Sequence, residues 1–494
     1  MSGAEKKQSG QSQVTDEQRD AFLSRTAQVA EVVRSHIKAG SLIKVISHND
    51  ADGLASGGII GTALAREGVR FHVHIVEELT DEVMDVVTSG APDLYIFSDI
   101  GSGYMPLLLS HHAEPAVILD HHPPSAPPSE NMHQLNPHDF GIAGATQISG
   151  AGICYLLAKQ LSEKNVDLCT VAIVGALGDM QDKNENRALS GLNELVVADG
   201  IASGLLKAGS DILVYGRESR PIHRALAFTT TPHLPTLTGH EDNCLTLLTT
   251  NGIQVKDGER FRTAANLSLE EKQKILSAIM SYMASMSLAS SQVLDMIGTA
   301  YTLTAESPDN PTRDAREFSS LLNACGRTGS PSLGLSICMG DRKSALEEAG
   351  EIVTNYRRAI ATSLDWVLKT PEVLQKFSTL WAVMGGTTIP ESMTGAISSI
   401  LMTGGSLTSD HVLIVLAEAK EGGFKMSARA PEKLLKIGVN LGAALSEVAP
   451  KHSGFGGGHN VAAGAYVKVE DPTTFLKDVD DALASQIANA QPAK

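Results

Sequence analysis

Short apolar runs that stop at an acid or a histidine recur through the first half of this chain. Leu42–Ile46 has the length and character of a buried strand. It leads into His48-Asn49-Asp50-Ala51-Asp52, and a helix is expected from Leu54 to Arg66. Leu94–Ser98 is apolar up to Asp99, ahead of a Gly-Ser-Gly turn. Ala116–Leu119 is apolar up to Asp120-His121-His122, where Pro123 and Pro124 stop the strand. Helical stretches, Asp81–Ser89 and Tyr104–Ser110, separate these runs. That order predicts successive strand–helix–strand units and a mainly parallel sheet. Ligands bind such sheets at the carboxyl ends of the strands, and three of those ends carry carboxylates or imidazoles.

The flanking stretches are plainer. Met1 to about Asp20 is polar and expected to be disordered. Ala21–Ile37 spaces Phe22, Val29, Val32 and Val33 along one helical side. Phe71–Val76 alternates, with His72 and His74 on the polar face; that pattern suits an H-x-H metal pair, but an ordinary half-exposed strand is the favoured reading. Pro123–Pro137 reads as irregular, with His133 and His138 as surface groups. Ile148–Leu161 reads as a helix. Leu168–Leu177 is apolar throughout, so periodicity leaves helix and strand both open, but it too ends at an acid, Asp179.

The second half is less regular. Arg217–Arg224 is locally basic and reads either as a solvated loop or as a wall facing nucleic acid. Ser268 is placed to cap a helix that begins near Leu269. Arg316–Arg327 mixes basic and apolar residues, with no role evident from its pattern. Ala345–Leu368 has a long helical period, Tyr356, Ile360 and Leu364 lying inside. Strands are expected at Leu380–Met384 and Val412–Leu416, followed by a turn at Gly456-Gly457-Gly458-His459. Three successive glycines let backbone N–H groups converge on an anion, and with Lys425, Ser427 and Arg429 upstream that turn is read as a phosphate-binding site.

Composition narrows the class. A chain of 494 residues exceeds what one core usually supports, about 250–300 residues. No apolar run approaches the roughly 20 residues of a membrane span, and there is no charged-then-apolar leader, so a cytoplasmic protein is expected. Five scattered cysteines without C-x-x-C spacing read as reduced thiols. The net charge of −16 argues against non-specific nucleic-acid binding. A nucleic-acid substrate would need a locally basic groove, or would reach the site through bound metals.

Taken together, His48-Asn-Asp50-Ala-Asp52-Gly53, Ser98-Asp99-Ile-Gly101, Asp120-His121-His122 and Gly178-Asp179 resemble, in order and spacing, the four motifs of the DHH phosphoesterase superfamily. Lys425-Met-Ser427-Ala-Arg429 and the Gly454–Gly464 stretch resemble the accompanying DHHA1 domain. The chain is most similar to archaeal RecJ-like exonucleases, including the GINS-associated nuclease group. His48 stands where bacterial RecJ usually has Asp. The resemblance implies an α/β fold of two lobes with a long joining helix and an inserted subdomain. The divisions expected are a tail over 1–20, a DHH domain over 21–204, an insertion over 205–344, a linking helix over 345–370 and a DHHA1 domain over 371–494.

The chemistry follows from the residue types. Hydrolysing a phosphodiester takes a water deprotonated near neutral pH and relief of charge on the phosphoryl oxygens, which two divalent cations supply. Oxygen and imidazole ligands without thiolate suit Mn2+ or Mg2+, and imidazole favours Mn2+. By resemblance, His48, Asp50 and Asp99 hold one ion, and Asp52, Asp99, His121 and Asp179 the other, with Asp99 bridging. Asp120 is expected to orient an imidazole. His122 is expected either to meet the scissile phosphate as ligand or proton donor, or to serve as a supporting hydrogen bond. The function implied is a single-strand-specific exonuclease on DNA, extending to RNA, of 5'-to-3' polarity, with GINS-type replisome subunits as partners. The alternatives are an oligoribonuclease or cyclic-dinucleotide phosphodiesterase, and a replisome scaffold with little catalysis.

Overall fold

Every apolar run of the amino-terminal half that ends at an acid forms a regular element. The computed structural model describes residues 13–490 apart from 233, 286–290, 404–406 and 408–409. β1 (Ile43–His48), β2 (Phe71–Val76), β3 (Leu94–Ser98), β4 (Ala116–Leu119) and β5 (Met132–Leu135) pair in parallel, in the order β2-β1-β3-β4-β5. All of β3 and β4 is buried, as parallel strands covered on both faces require.

Two of these elements depart from expectation. β5 lies in the stretch read as irregular, and His133 is within it, half-buried, while His138 is exposed. The first helix begins at Asp16, earlier than the polar tail suggested, because Thr15 and Gln18 form a reciprocal capping box. The rest of the expected tail, residues 1–12, lies outside the described residues.

The stretch whose periodicity was ambiguous, Leu168–Leu177, is helical. It forms Cys169–Gly178, which packs with Gly150–Leu161 against the Ala51–Arg66 helix behind the sheet. Further on, β6 (Leu206–Ile212) precedes the small hairpin of β7 (Lys256–Asp257) and β8 (Arg260–Phe261). β9 (Ile297–Leu303) then returns antiparallel to β6.

Contacts divide the chain into two units, Met1–Ser219 with Ile297–Ile352, and Arg220–Met296 with Val353–Lys494. The segment set apart is therefore shorter than the 205–344 expected. β6, β9 and the helices Ala315–Arg327 and Pro331–Cys338 belong with the first unit. The two helices bury their apolar sides against Cys169–Gly178 and Ala51–Arg66. Arg217 is buried too, its guanidinium bonded to Asp211 (2.9 Å), Asp314 (3.0 Å) and Glu218 (2.6 Å). It is neither a solvated group nor an exposed basic wall. Ser268 does cap the Leu269–Ser285 helix, accepting from Glu271 N–H at 3.2 Å.

The helix Ser344–Lys369 runs across the division, with Tyr356, Ile360 and Leu364 buried as expected. The second unit then builds a mixed sheet from β10 (Leu374–Lys376), β11 (Leu380–Met384), β12 (Val412–Glu418), β13 (Phe424–Arg429), β14 (Gly454–Gly458) and β15 (Ala462–Val467). Its order is β10-β11-β12-β13-β15-β14, and only β11 and β12 are parallel. One face packs Ile414, Met426, Ala428, Ala463 and Ala465 into a core with Leu445, Phe475 and Leu476. Among the described residues, no helix is long and apolar enough to cross a membrane.

A candidate metal centre at the strand ends

β1 delivers His48, and the loop after it turns at once into a helix. Asp50 is the N-cap, its Oδ1 accepting from Gly53 N–H at 2.9 Å. Asp52, in the first turn, points back into the protein and is fully buried. Its carboxylate accepts from the N–H groups of Gly150 (2.7 Å) and Ala151 (3.1 Å), which open the Gly150–Leu161 helix. The positive end of that helix favours the charge. Asp99 follows β3 with φ of 59°, a left-handed conformation that Asp tolerates better than most residues. Gly150 allows the approach: a Cβ there would lie 2.5 Å from Asp99 Oδ1.

The side chains converge as three groups that overlap at Asp99 and His121. His48 Nδ1 lies 3.1 Å from Asp50 Oδ2 and 3.9 Å from Asp99 Oδ2. His121 Nε2 lies 3.2 Å from Asp99 Oδ1, 3.2 Å from Asp179 Oδ2 and 3.8 Å from Asp52 Oδ2. Three potential ligand sets result, His48 with Asp50 and Asp99, Asp52 with His121 and Asp179, and Asp99 with His121 and His122, the atoms of each within 4.8 Å of one another. His121 Nδ1 meets the Gly144 carbonyl at 2.9 Å. With that nitrogen donating, the lone pair of Nε2 faces the carboxylates, as a metal-binding imidazole needs.

The buried atoms fit a cation. His48 Nδ1, Asp99 Oδ1 and His121 Nε2 are buried without a hydrogen-bond partner. Such orphans cost about 1–3 kcal/mol each, and a divalent ion would satisfy them. Asp120 does a different job. Its Oδ1 accepts from the Nδ1 (2.8 Å) and backbone N–H (3.1 Å) of His122, while Oδ2 accepts from Ser102 N–H (2.8 Å). The imidazole it orients is thus that of His122, which is half-exposed beside the carboxylates. His72 and His74, their ring centroids 6.1 Å apart, join no such group among the described residues.

Crowding shows in the proton affinities of the metal-free site. Burial, then the charges of Asp52 and Asp50, push the Asp99 carboxyl well above its ordinary range. Burial and Asp179 raise Asp52 to about 6. Burial opposes the His121 cation, but Asp179 and Asp52 outweigh it and lift that pKa to about 9. A carboxyl with a raised folded-state pKa stabilises the fold fully below its unfolded value near 4. That contribution is lost as pH rises through about 6. Chelated protein is therefore expected to lose thermal stability from this site between pH 4 and 6, and Mn2+ is expected to restore it above pH 6. Thermal unfolding across that range with and without Mn2+ checks this, and a metal-free profile rising through the window would contradict it.

The carboxyl-terminal candidates are arranged differently from a phosphate-binding turn. Gly456, Gly457 and Gly458 are not a turn; they lie in β14 and pair with Ala465, Gly464 and Ala463 of β15. Only Gly458 has positive φ, 132°, so no succession of N–H groups converges there. His459 follows and is exposed. Arg429 donates through Nε to Ser399 Oγ (2.8 Å) and through Nη2 to the Gly395 carbonyl (3.2 Å), and Ser427 Oγ meets Thr394 Oγ1 at 3.0 Å. Lys425, Ser427 and Arg429 share one face of β13.

One supporting element had no assigned role in the sequence. The Ala315–Arg327 helix rests on the loop that carries Asp50 and Asp52. Asn323 Oδ1 accepts from Ala51 N–H at 3.1 Å, and a Cβ on Gly326 would lie 1.8 Å from the Asn49 carbonyl oxygen. The available signal was Asn323 and Gly326, three apart and hence on one face of an amphipathic helix.

Comparison with known proteins identifies the group. The DHHA1 domain model matches residues 383–485 and the DHH-CID domain model residues 214–297. An uncharacterised protein of Methanocaldococcus jannaschii is 33% identical over 469 residues, 94% of this chain and 97% of that one. This chain belongs with that protein to the DHH/DHHA1 superfamily. The single-stranded-DNA-specific exonuclease RecJ of Thermus thermophilus is 26% identical over 201 residues, 36% of this chain and 28% of RecJ. The crystal structure of that RecJ with Mn2+ shares the fold at a TM-score of 0.56 and 18% identity, over 93% of this chain and 55% of RecJ. CDC45 from Entamoeba histolytica shares it at 0.64 and 12% identity, over 94% and 99%. The DHH-CID match covers the segment set apart from the first unit, a label that sequence patterns alone did not supply.

Proposed function

We propose that this protein is a metal-dependent phosphodiesterase acting as a single-strand-specific exonuclease on DNA, with RNA as a second substrate and 5'-to-3' polarity. The observation that carries the reading is the convergence of His48, Asp50, Asp52, Asp99, His121 and Asp179, with Asp99 facing both His48 and His121. Held by these six residues, two divalent cations, Mn2+ before Mg2+, would supply a deprotonated water and neutralise phosphoryl charge. His122, kept in place by Asp120, presents an imidazole able to bond a phosphoryl oxygen or hand on a proton. Asp179 and Asp50 compensate the positive charge drawn to the site. Lys425, Ser427, Arg429, Gly456–Gly458 and His459 are the strand-binding residues of the second lobe.

An end-labelled single strand tests this. Chelator should abolish cleavage and Mn2+ should restore it better than Ca2+, whose looser coordination suits a compact paired site poorly. The products should be short terminal fragments from the outset. Full cleavage in excess chelator would overturn the metal assignment, and internal fragments first would overturn the exonuclease assignment.

A replisome scaffold bound to GINS-type subunits is the second reading, favoured by the likeness to Entamoeba CDC45 over 99% of that chain. The intact ligand set counts against a scaffold without catalysis.

A further inference from the structure

We propose that Phe455 and Tyr466 form a stacking platform on which an unpaired nucleobase rests. The inference builds on the strand-binding reading of the carboxyl-terminal lobe and specifies what that lobe recognises: a chain that carries bases, not any polyanion.

The register of the sheet sets the arrangement. Lys425 of β13 lies opposite Tyr466 of β15, and Tyr466 lies opposite Phe455 of β14. Residues opposite one another in antiparallel strands share a face, so the three side chains form one row across the sheet. Met426, Ala428, Ala463 and Ala465 point into the core. The row therefore stands on the other face, together with Ser427 and Arg429. The next row is Ser427, Gly464 and Gly457, a floor that is bare backbone over its last two positions. The Thr394–Thr403 helix lies beside Ser427 and Arg429 on this face, where it bonds both side chains.

The rings are presented, not tucked away. Phe455 is 62% exposed although it belongs to a strand. Its centroid lies 5.7 Å from that of Tyr466 at 32° between planes. Tyr466 is held by its hydroxyl, which donates to the Gly422 carbonyl at 2.7 Å. β14 is the edge of the sheet, so no further strand covers the outer ring. A lone exposed phenyl is ordinary. Two rings in a row with a lysine, alongside a side-chain-free floor, combine what sequence-tolerant strand binding uses: an aromatic surface for the base and a cation for the backbone. The charged side chains that β13 puts on this face, Lys425 and Arg429, are both basic, and that local charge complements a nucleic-acid strand and not a basic protein.

The competing account is a cross-strand pair that only stabilises the edge hairpin. It predicts a change in thermal stability and none in base-dependent binding.

The test uses the full chain in chelator, which prevents cutting, with two labelled probes of equal length: oligo-dT and an abasic phosphodiester strand. Phe455→Ala should weaken oligo-dT binding roughly 5- to 100-fold, the usual loss for one base stack, and leave the abasic strand unchanged. Phe455→Trp should restore oligo-dT binding, and Phe455→Leu, apolar but not aromatic, should not. Oligo-dT bound as tightly by Phe455→Ala as by wild type would overturn the platform. So would equal losses on both probes, or wild type that favours neither probe. The exonuclease reading fails separately, if wild type binds oligo-dT in chelator yet does not cleave it when Mn2+ is supplied.

Discussion

Asp99→Asn should eliminate single-strand hydrolysis while making the metal-free protein more heat-stable. Asn matches the shape of Asp and accepts the left-handed backbone at φ of 59°. The substitution therefore removes little but charge. Asp99 is buried and its oxygens face His48 on one side and His121 on the other, so the two potential ligand sets that include it, one with His48 and Asp50 and one with His121 and His122, lose a carboxylate at once. A loss of at least ~10³ in kcat/KM is expected, about 4 kcal/mol of transition-state stabilisation. The apo fold gains because burial, Asp52 and Asp50 all oppose the Asp99 charge. Each kcal/mol of repulsion relieved should raise Tm by about 2–4 °C. Asp99→Ala is a poorer probe, since left-handed backbone costs most side chains about 1–2 kcal/mol. Near-wild-type turnover by Asp99→Asn would remove Asp99 from the centre. A fall in metal-free Tm would refute the crowding argument.

Gly326→Ala should weaken Mn2+ binding although residue 326 lies far along the chain from every ligand. The added Cβ would meet the Asn49 carbonyl oxygen at 1.8 Å. That oxygen is backbone and cannot swing aside, so the loop between His48 and Asp52 must move. Overpacking of this kind costs about 1–3 kcal/mol. Displacing the support of metal ligands typically costs 10- to 100-fold in affinity. Asn323→Ala should act in the same direction and less strongly, by leaving Ala51 N–H without its acceptor. Calorimetric titration with Mn2+ alongside thermal unfolding separates the effects. A lower Tm with unchanged Mn2+ affinity would reduce the helix to a prop for the fold.

The convergence of the candidate site residues was legible because they follow apolar runs, and a chain that leaves a buried strand at an acid announces where its sheet edge lies. β1, β3 and β4 were readable in this way. β5 was not, since it is four residues long, follows a proline-rich stretch and carries His133 and Gln134. Its place is decided by the parallel pairing with β4 and by Arg25, which bonds the Gln134 carbonyl at 3.1 Å. The tri-glycine stretch misled for a related reason. Without side chains it has no strand pattern of its own, and its conformation is imposed by β15. Leu168–Leu177 was ambiguous because it is buried on nearly all sides as a helix. The role of Ala315–Arg327 depends on contacts with residues some 270 positions earlier, such as Asn323 with Ala51, and local periodicity carries no trace of them.

The pairing of β6 with β9 brings Ile212 directly opposite Ile297. Partners in an antiparallel ladder stand about 4.5–5.5 Å apart at their Cα atoms, so the chain leaves the first unit and re-enters it at nearly the same point. Whatever is threaded between those residues closes on itself like a loop of cord drawn through a clasp. A change in its length need not draw the two ends apart, so the elements that gather His48, Asp99 and Asp179 keep their geometry.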